Sequence, residues 1–141
     1  MLYFITGTSG AGKSLLVGNL QKLLPDARIH DFDEGGVPHG ACPAWRREQT
    51  EYWLQQAKDY NGLFVVCGIT VPQEIMKSPS YRESMNARYG LLKIPEEVIR
   101  KKLALRNWSA ERLDSDVNWA LHMEKFVKEV DGRIFDGTQS P

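Results

Sequence analysis

Residues 7 to 14 read Gly-Thr-Ser-Gly-Ala-Gly-Lys-Ser. A glycine, four residues, Gly-Lys and a serine is the spacing of a phosphate-binding loop. Gly7, Gly10 and Gly12 let the backbone come close to a ligand, so that successive N–H groups converge on a polyphosphate. Thr8, Ser9 and Ala11 complete that cradle. Lys13 would reach the β- and γ-phosphates of a nucleoside triphosphate, and the Ser14 hydroxyl would ligate Mg²⁺. The flanks separate this from a chance glycine-rich turn. Leu2 to Ile5 is a short run of strand formers, and Leu15 to Leu24 carries apolar residues at helical spacing. The phosphates would then lie at the positive end of a helix. ATP with Mg²⁺ is the expected ligand.

A second set of reactive side chains follows the next strand-like stretch. Ala27 to His30 leads into Asp31-Phe32-Asp33-Glu34 and then Gly35-Gly36. Carboxylates at the C-terminal end of a strand sit where open α/β sheets take their ligands. In extended backbone Asp31 and Asp33 would point the same way, with Phe32 opposite. Asp33 would accept a proton from an acceptor hydroxyl, while Asp31 supports the metal or binds the acceptor. The bland alternative is a solvated acidic turn. Arg46 and Arg47 fall in the first turn of the helix expected over 44–59, against its dipole. They are either incidental surface or an anion contact to the acceptor.

The most apolar run, Leu63 to Cys67, marks a central parallel strand buried on both faces. Beyond it Gly68 would let the backbone approach the transferred phosphate, and Thr70 would offer a hydroxyl there. No aspartate closes this strand, which leaves the metal to Ser14 and the Asp-x-Asp turn. Residues 73–85 read as weak helix or loop and 89–94 as a fourth strand. A helix opens at Pro95-Glu96-Glu97 with acids in its first turn and runs to about Arg106. Asn107 to Glu111 is a short polar break. A last helix is expected over 115–130, with Val117, Leu121, Phe126 and Val130 on its apolar face, before a final strand at 133–135. Trp45 and Trp53 read as packing residues.

Alternating strands and helices predict an α/β fold, a three-layer doubly wound parallel sheet of five strands in one domain over 1–141. The helix that usually follows such a last strand has no counterpart before Pro141. The chain has 18 basic and 18 acidic residues, giving zero net charge. That balance argues against a partner bound through nucleic-acid electrostatics. No apolar run reaches the ~20 residues of a membrane span. A chain that opens on a strand and a phosphate loop leaves no room for a leader peptide. Cys42 and Cys67 have no metal-ligand spacing, so a reducing cytoplasm is expected, with Cys67 a buried small side chain.

Taken together, the phosphate loop, the Asp-x-Asp turn, a basic helix and a last strand ending Asp136-Gly137-Thr138 resemble the P-loop kinases of nucleotides and small molecules, such as adenylate, shikimate and gluconate kinases. The resemblance spans essentially the whole chain, and the phosphate loop is its specific part. It implies that Lys102 packs on the adenine, that Arg106 binds phosphate, and that Arg112 and Asp114 form the Arg-x-Asp after a lid at about 107–111. It also implies that Thr138 borders the adenine. The Asp-Gly-Phe-Pro-Arg signature of adenylate kinases is absent, and the Asp31/Asp33 pair is closer to kinases that phosphorylate hydroxyl groups of metabolites or sugars. The expected reaction is transfer of the γ-phosphoryl group of ATP to a small-molecule hydroxyl, with Lys13, Asp33, Arg106 and Arg112 catalytic. A regulatory NTPase without an acceptor, or a kinase of nucleoside monophosphates or polynucleotide 5′ ends, is the alternative. For Arg100 and Lys101 a solvated, paired helix face is preferred.

Overall fold

The computed structural model describes residues 1–7, 13–34, 43–68, 70–105 and 109–136. Five parallel strands, β1 (Leu2–Thr6), β2 (Arg28–Asp31), β3 (Phe64–Cys67), β4 (Ala87–Lys93) and β5 (Arg133–Asp136), form one sheet in the order β2-β3-β1-β4-β5. The helices are α1 (Lys13–Leu23), α2 (Pro43–Ala57), α3 (Pro72–Met76), α4 (Glu96–Ala104) and α5 (Ala110–Glu129). The doubly wound α/β architecture expected from the alternation of elements is the one found.

The two faces of the sheet are sorted by side-chain alternation. Leu2, Phe4, Phe64, Val66 and Tyr89 pack with Trp53 and Leu54 of α2 and Ile75 of α3. The intervening residues Ile5, Val65, Cys67 and Ile29 pack against Val17 of α1. β3 is buried at every position, as its unbroken apolar run requires. α5 lies over Leu91 through Met123 and Val127, and it meets α4 around Ile94, Ile99 and Val117. Trp53 is core and Trp45 packs against it, as expected. Cys67 is a fully buried thiol.

Several boundaries differ from those read in the sequence. β2 includes Asp31, which pairs with Cys67, and β4 starts at Ala87. Residues 72–76 form a short helix with Pro72 at its start, and a 3₁₀ turn follows at Glu83–Met85. α5 begins at Ala110 rather than near residue 115, so Arg112 and Asp114 belong to its first turns and not to a preceding loop. Ser109 precedes it at the N-cap position, and its carbonyl accepts the Leu113 N–H at 3.0 Å. A serine followed by Ala-Glu is a helix start that the surrounding polar run obscures.

The buried stripe of α5 keeps Val117 and Phe126 against the core, with Val130 just past the helix end, and differs from the expected face at Leu121. It is set by Val117, Met123 and Val127, with Leu113 and Ala120 on the same face, and Leu121 points away with 60% of its surface exposed. Truncating Met123, which is 0% exposed, to alanine should cost about 2–5 kcal/mol. Leu121→Ala should stay within roughly 0.5 kcal/mol of wild type. Urea unfolding of both variants checks this assignment, and equal losses would contradict it.

Candidate active site at the C-terminal ends of the strands

Three adjacent strands, β2, β3 and β1, deliver their C-terminal ends to one edge of the sheet. β1 stops at Thr6, and Gly7 after it is buried. α1 starts at Lys13, so its N-terminus, with its unpaired N–H groups, opens at this edge. Thr8, Ser9, Gly10, Ala11 and Gly12 lie outside the described residues, as do the side chains of Lys13 and Ser14. What is described is the frame that the motif requires, a buried strand entering it and a helix leaving it.

The acidic turn is tied to that frame by its backbone. The Phe32 N–H donates to the Cys67 carbonyl at 2.7 Å, extending the β2–β3 ladder by one bond. The Glu34 N–H then donates to the Asp31 carbonyl at 3.1 Å, closing a turn over 31–34. Period-two alternation therefore stops at Asp31, and the expectation that Asp31 and Asp33 share one face of extended backbone is corrected. Ile29 packs on the α1 side of the sheet while His30 stacks on Trp53 and Phe64 at the other. Alternation along the strand puts the half-buried Asp31 on the α1 side, and Asp33 is exposed in the turn. Phe32 is 1% exposed and packs in the cluster with Trp53 and Leu54 of α2.

Gly68 has a packing role that its position in the sequence did not reveal. A Cβ built there would lie 2.3 Å from the Phe32 Cβ. The space a side chain would need is filled by Phe32 itself, so the glycine is required for the β3 end and the acidic turn to close on each other. The Gly68 N–H donates to the Ile5 carbonyl at 2.9 Å. Two residues on, the N–H of the buried Thr70 lies 3.4 Å from the Thr6 Oγ1. The ends of β1 and β3 are thus held together where the phosphate loop departs.

Arg46 is committed to partners that its position in the helix did not reveal. Its Nε and Nη2 donate to Glu74 Oε2 and Oε1 at 2.8 and 2.7 Å, a two-pronged pair joining α2 to α3. Its guanidinium also sits 5.4 Å from the centre of the Trp119 ring of α5. Further along α2, Glu51 accepts hydrogen bonds from the Ser80 N–H, the Ser80 hydroxyl and the Ser78 hydroxyl. Burial opposes its ionisation, but these bonds, with Arg82 nearby, hold the carboxyl below the usual range. Both contacts clamp α2 to the segment that follows β3. Neither Glu74 nor Glu51 was singled out in the sequence, because each pairing crosses more than 25 positions and leaves no local pattern.

Arg106 and Thr138 lie outside the described residues, as do the side chains of Lys102 and Arg112. Arg100 pairs with Glu96 at 3.0 Å and with Asp114 of α5 by Nη2 at 2.6 Å, the paired surface role expected for it. Among the described residues, no group of three or more His, Cys, Asp or Glu side chains is gathered as a metal centre. No helix among them is long and apolar enough to cross a membrane.

No protein-family model matches the chain. It is similar in sequence to an adenylyl-sulfate kinase of Shewanella baltica (strain OS195), with 30% identity over 110 residues, covering 74% of this chain and 54% of that protein. The chain spans about half the length of the curated relatives it matches. Its fold is similar to that of shikimate kinase from Aquifex aeolicus, with a TM-score of 0.68 over 100% of this chain and 89% of that one at 19% identity. Deoxyadenosine kinase from M. mycoides, solved with bound dATP, gives a TM-score of 0.57 over 99% and 92% at 15% identity. At such identities the likeness establishes the fold.

Arg46 and Glu74 retain only 17% and 27% side-chain exposure, so losing one strands the other in a partly dry site. Arg46→Met should lower stability by about 1–3 kcal/mol, less than for a fully buried pair. Guanidinium unfolding measures it. Unchanged stability would mean that the pair is incidental to the fold.

Proposed function

By sequence similarity and by fold the chain belongs with the P-loop nucleotide kinase-like proteins, and from that premise we propose that it transfers the γ-phosphoryl group of ATP to a hydroxyl of a small-molecule acceptor. What supports this above all is the meeting of Thr6–Gly7, the Asp31–Glu34 turn, Gly68 and Thr70 at one edge of the sheet, beside the N-terminus of α1. A donor loop and an acceptor-side carboxylate need that proximity, because phosphoryl transfer depends on positioning and charge neutralisation more than on covalent chemistry.

The roles follow from residue type and place. Gly7 through Gly12 would cradle the polyphosphate with backbone N–H groups, and Lys13 would neutralise the β- and γ-phosphates. Mg²⁺ would be held by the Ser14 hydroxyl, with Asp31 on the α1 side of the sheet as the nearby carboxylate; when bound it neutralises charge on the transferred group. Asp33, exposed in its turn, would accept the acceptor's proton or orient its hydroxyl. Thr70 is buried and its N–H faces Thr6, so its contribution to the acceptor would be through the shape of the strand end. Arg46 would reach an acceptor anion only by leaving Glu74. Arg106 and, from the start of α5, Arg112 would close over the transferring group, and Lys102 and Thr138 would border the adenine. Residues 1–141 would act as one domain. The buried Cys67 thiol and ATP use fit a cytoplasmic setting.

The relatives' names point to three acceptors worth trying first, adenylyl sulfate, shikimate and deoxyadenosine. ADP release from Mg-ATP, measured against these and a panel of sugars and nucleosides, should rise with one acceptor class. On that acceptor Asp33→Asn should lower kcat by on the order of 10²-fold or more while leaving ATP affinity unchanged. Full turnover in the variant would remove Asp33 from the chemistry. Acceptor-independent hydrolysis across the whole panel would favour a nucleotide switch.

A further inference from the structure

The turn that carries Asp33 is anchored by side chains that the kinase reading leaves unused. Trp53, on α2 and 2% exposed, donates its indole Nε1–H to the Phe32 carbonyl at 2.9 Å. The Phe32 N–H is already bonded to Cys67, so both polar groups of that peptide flank are satisfied and its orientation is defined. The His30 ring lies 4.8 Å from the Trp53 ring and 5.2 Å from that of Phe64, wedged between α2 and β3. From this wedge its Nδ1 lies 2.8 Å from Glu34 Oε1, and since an ionised carboxylate can only accept, the ring donates Nδ1–H. Glu34 is the last residue of the turn and its backbone N–H closes it onto Asp31. Asp33 is therefore held between two fixed points, Phe32 on one side and Glu34 on the other.

We propose that Trp53, His30 and Glu34 form a mount that orients Asp33, making them positioning residues for the acceptor side of the site. The inference rests on Asp33 serving the acceptor, as proposed above, but the mount itself is a statement about the turn. Without the indole N–H and the His30–Glu34 bond, the turn loses two of the contacts that anchor it among the described residues, and keeps there the Glu34 N–H to Asp31 carbonyl bond and the ladder bond of Phe32. A carboxylate on such a turn would sample many directions. Misplacement of a reacting group by about 1 Å is enough to cost on the order of 10²-fold in rate. The neighbouring Gly68 fits the same design, because it gives Phe32 the room to sit against β3 while Trp53 holds its carbonyl.

The test uses the exposed end of the mount, where substitution does not threaten folding. Glu34→Ala should raise amide hydrogen exchange at residues 31–34 without changing Mg-ATP affinity or the thermal midpoint by more than a few degrees. Glu34→Gln, which keeps an oxygen for His30, should restore much of the protection. Trp53→Phe keeps an aromatic ring but strands the Phe32 carbonyl, and should loosen the same amides. With whichever of adenylyl sulfate, shikimate or deoxyadenosine gives the highest wild-type rate, Glu34→Ala should lower kcat about 10-fold with little change in the KM for ATP. Unchanged exchange at 31–34 in Glu34→Ala overturns the mount whatever the activity. Loosened exchange with unchanged kcat overturns its role in positioning. If the wild-type protein turns over no acceptor, it is the kinase reading that fails, and exchange alone then upholds or overturns the mount.

Discussion

Phe32 lies against the Cα of Gly68, and around this contact the ends of β2 and β3 are locked together. A Cβ at Gly68 would meet the Phe32 Cβ at 2.3 Å, so the two strands approach more closely there than any pair of side-chain-bearing residues permits. The Phe32 N–H extends the ladder onto Cys67, and one residue later the Gly68 N–H reaches Ile5 in β1. Remove that approach and the acidic turn separates from the strand that precedes the phosphate loop. Everything proposed about catalysis depends on these three strand ends sharing an edge.

The helices serve that edge in different ways. α1 presents its N-terminus to it, where partial positive charge favours a polyphosphate. α2 contributes no side chain assigned to the chemistry, yet it carries Trp53, which fixes the turn, together with Arg46 and Glu51, which fasten it to the segment after β3. An arginine in the first turn of a helix opposes the dipole, and here the two-pronged bond to Glu74 offsets that cost. The same side chain that looked available for an anionic ligand is thus engaged in holding two helices together.

What could be read in the sequence was whatever is local. The phosphate loop is eight consecutive residues with a strand and a helix at its sides, and β3 is an unbroken apolar run; both were legible, and with them the architecture. The paired surface role of Arg100 was legible too, since Glu96 lies one turn away. The Asp31–Glu34 turn was placed correctly but given the wrong geometry, because its shape is decided by Trp53, 21 residues away, and by Cys67. Gly68 stands out in the sequence as a glycine at a strand end, but its fit against Phe32, 36 positions away, leaves no local pattern. The start of α5 is not legible because Ser109 sits in a polar stretch where a cap looks like more loop, and Leu121 resembles a core position because helical spacing admits a neighbouring stripe.

Catalysis of the proposed kind requires a triphosphate seated at the N-terminus of α1, with the acidic turn beside it. Calorimetric titration of Mg-ATP into the wild-type protein and into Lys13→Ala tests that most directly. One molecule should bind per wild-type chain, and loss of the lysine ammonium should weaken binding by on the order of 10- to 100-fold. Equal affinities in the two proteins would contradict it.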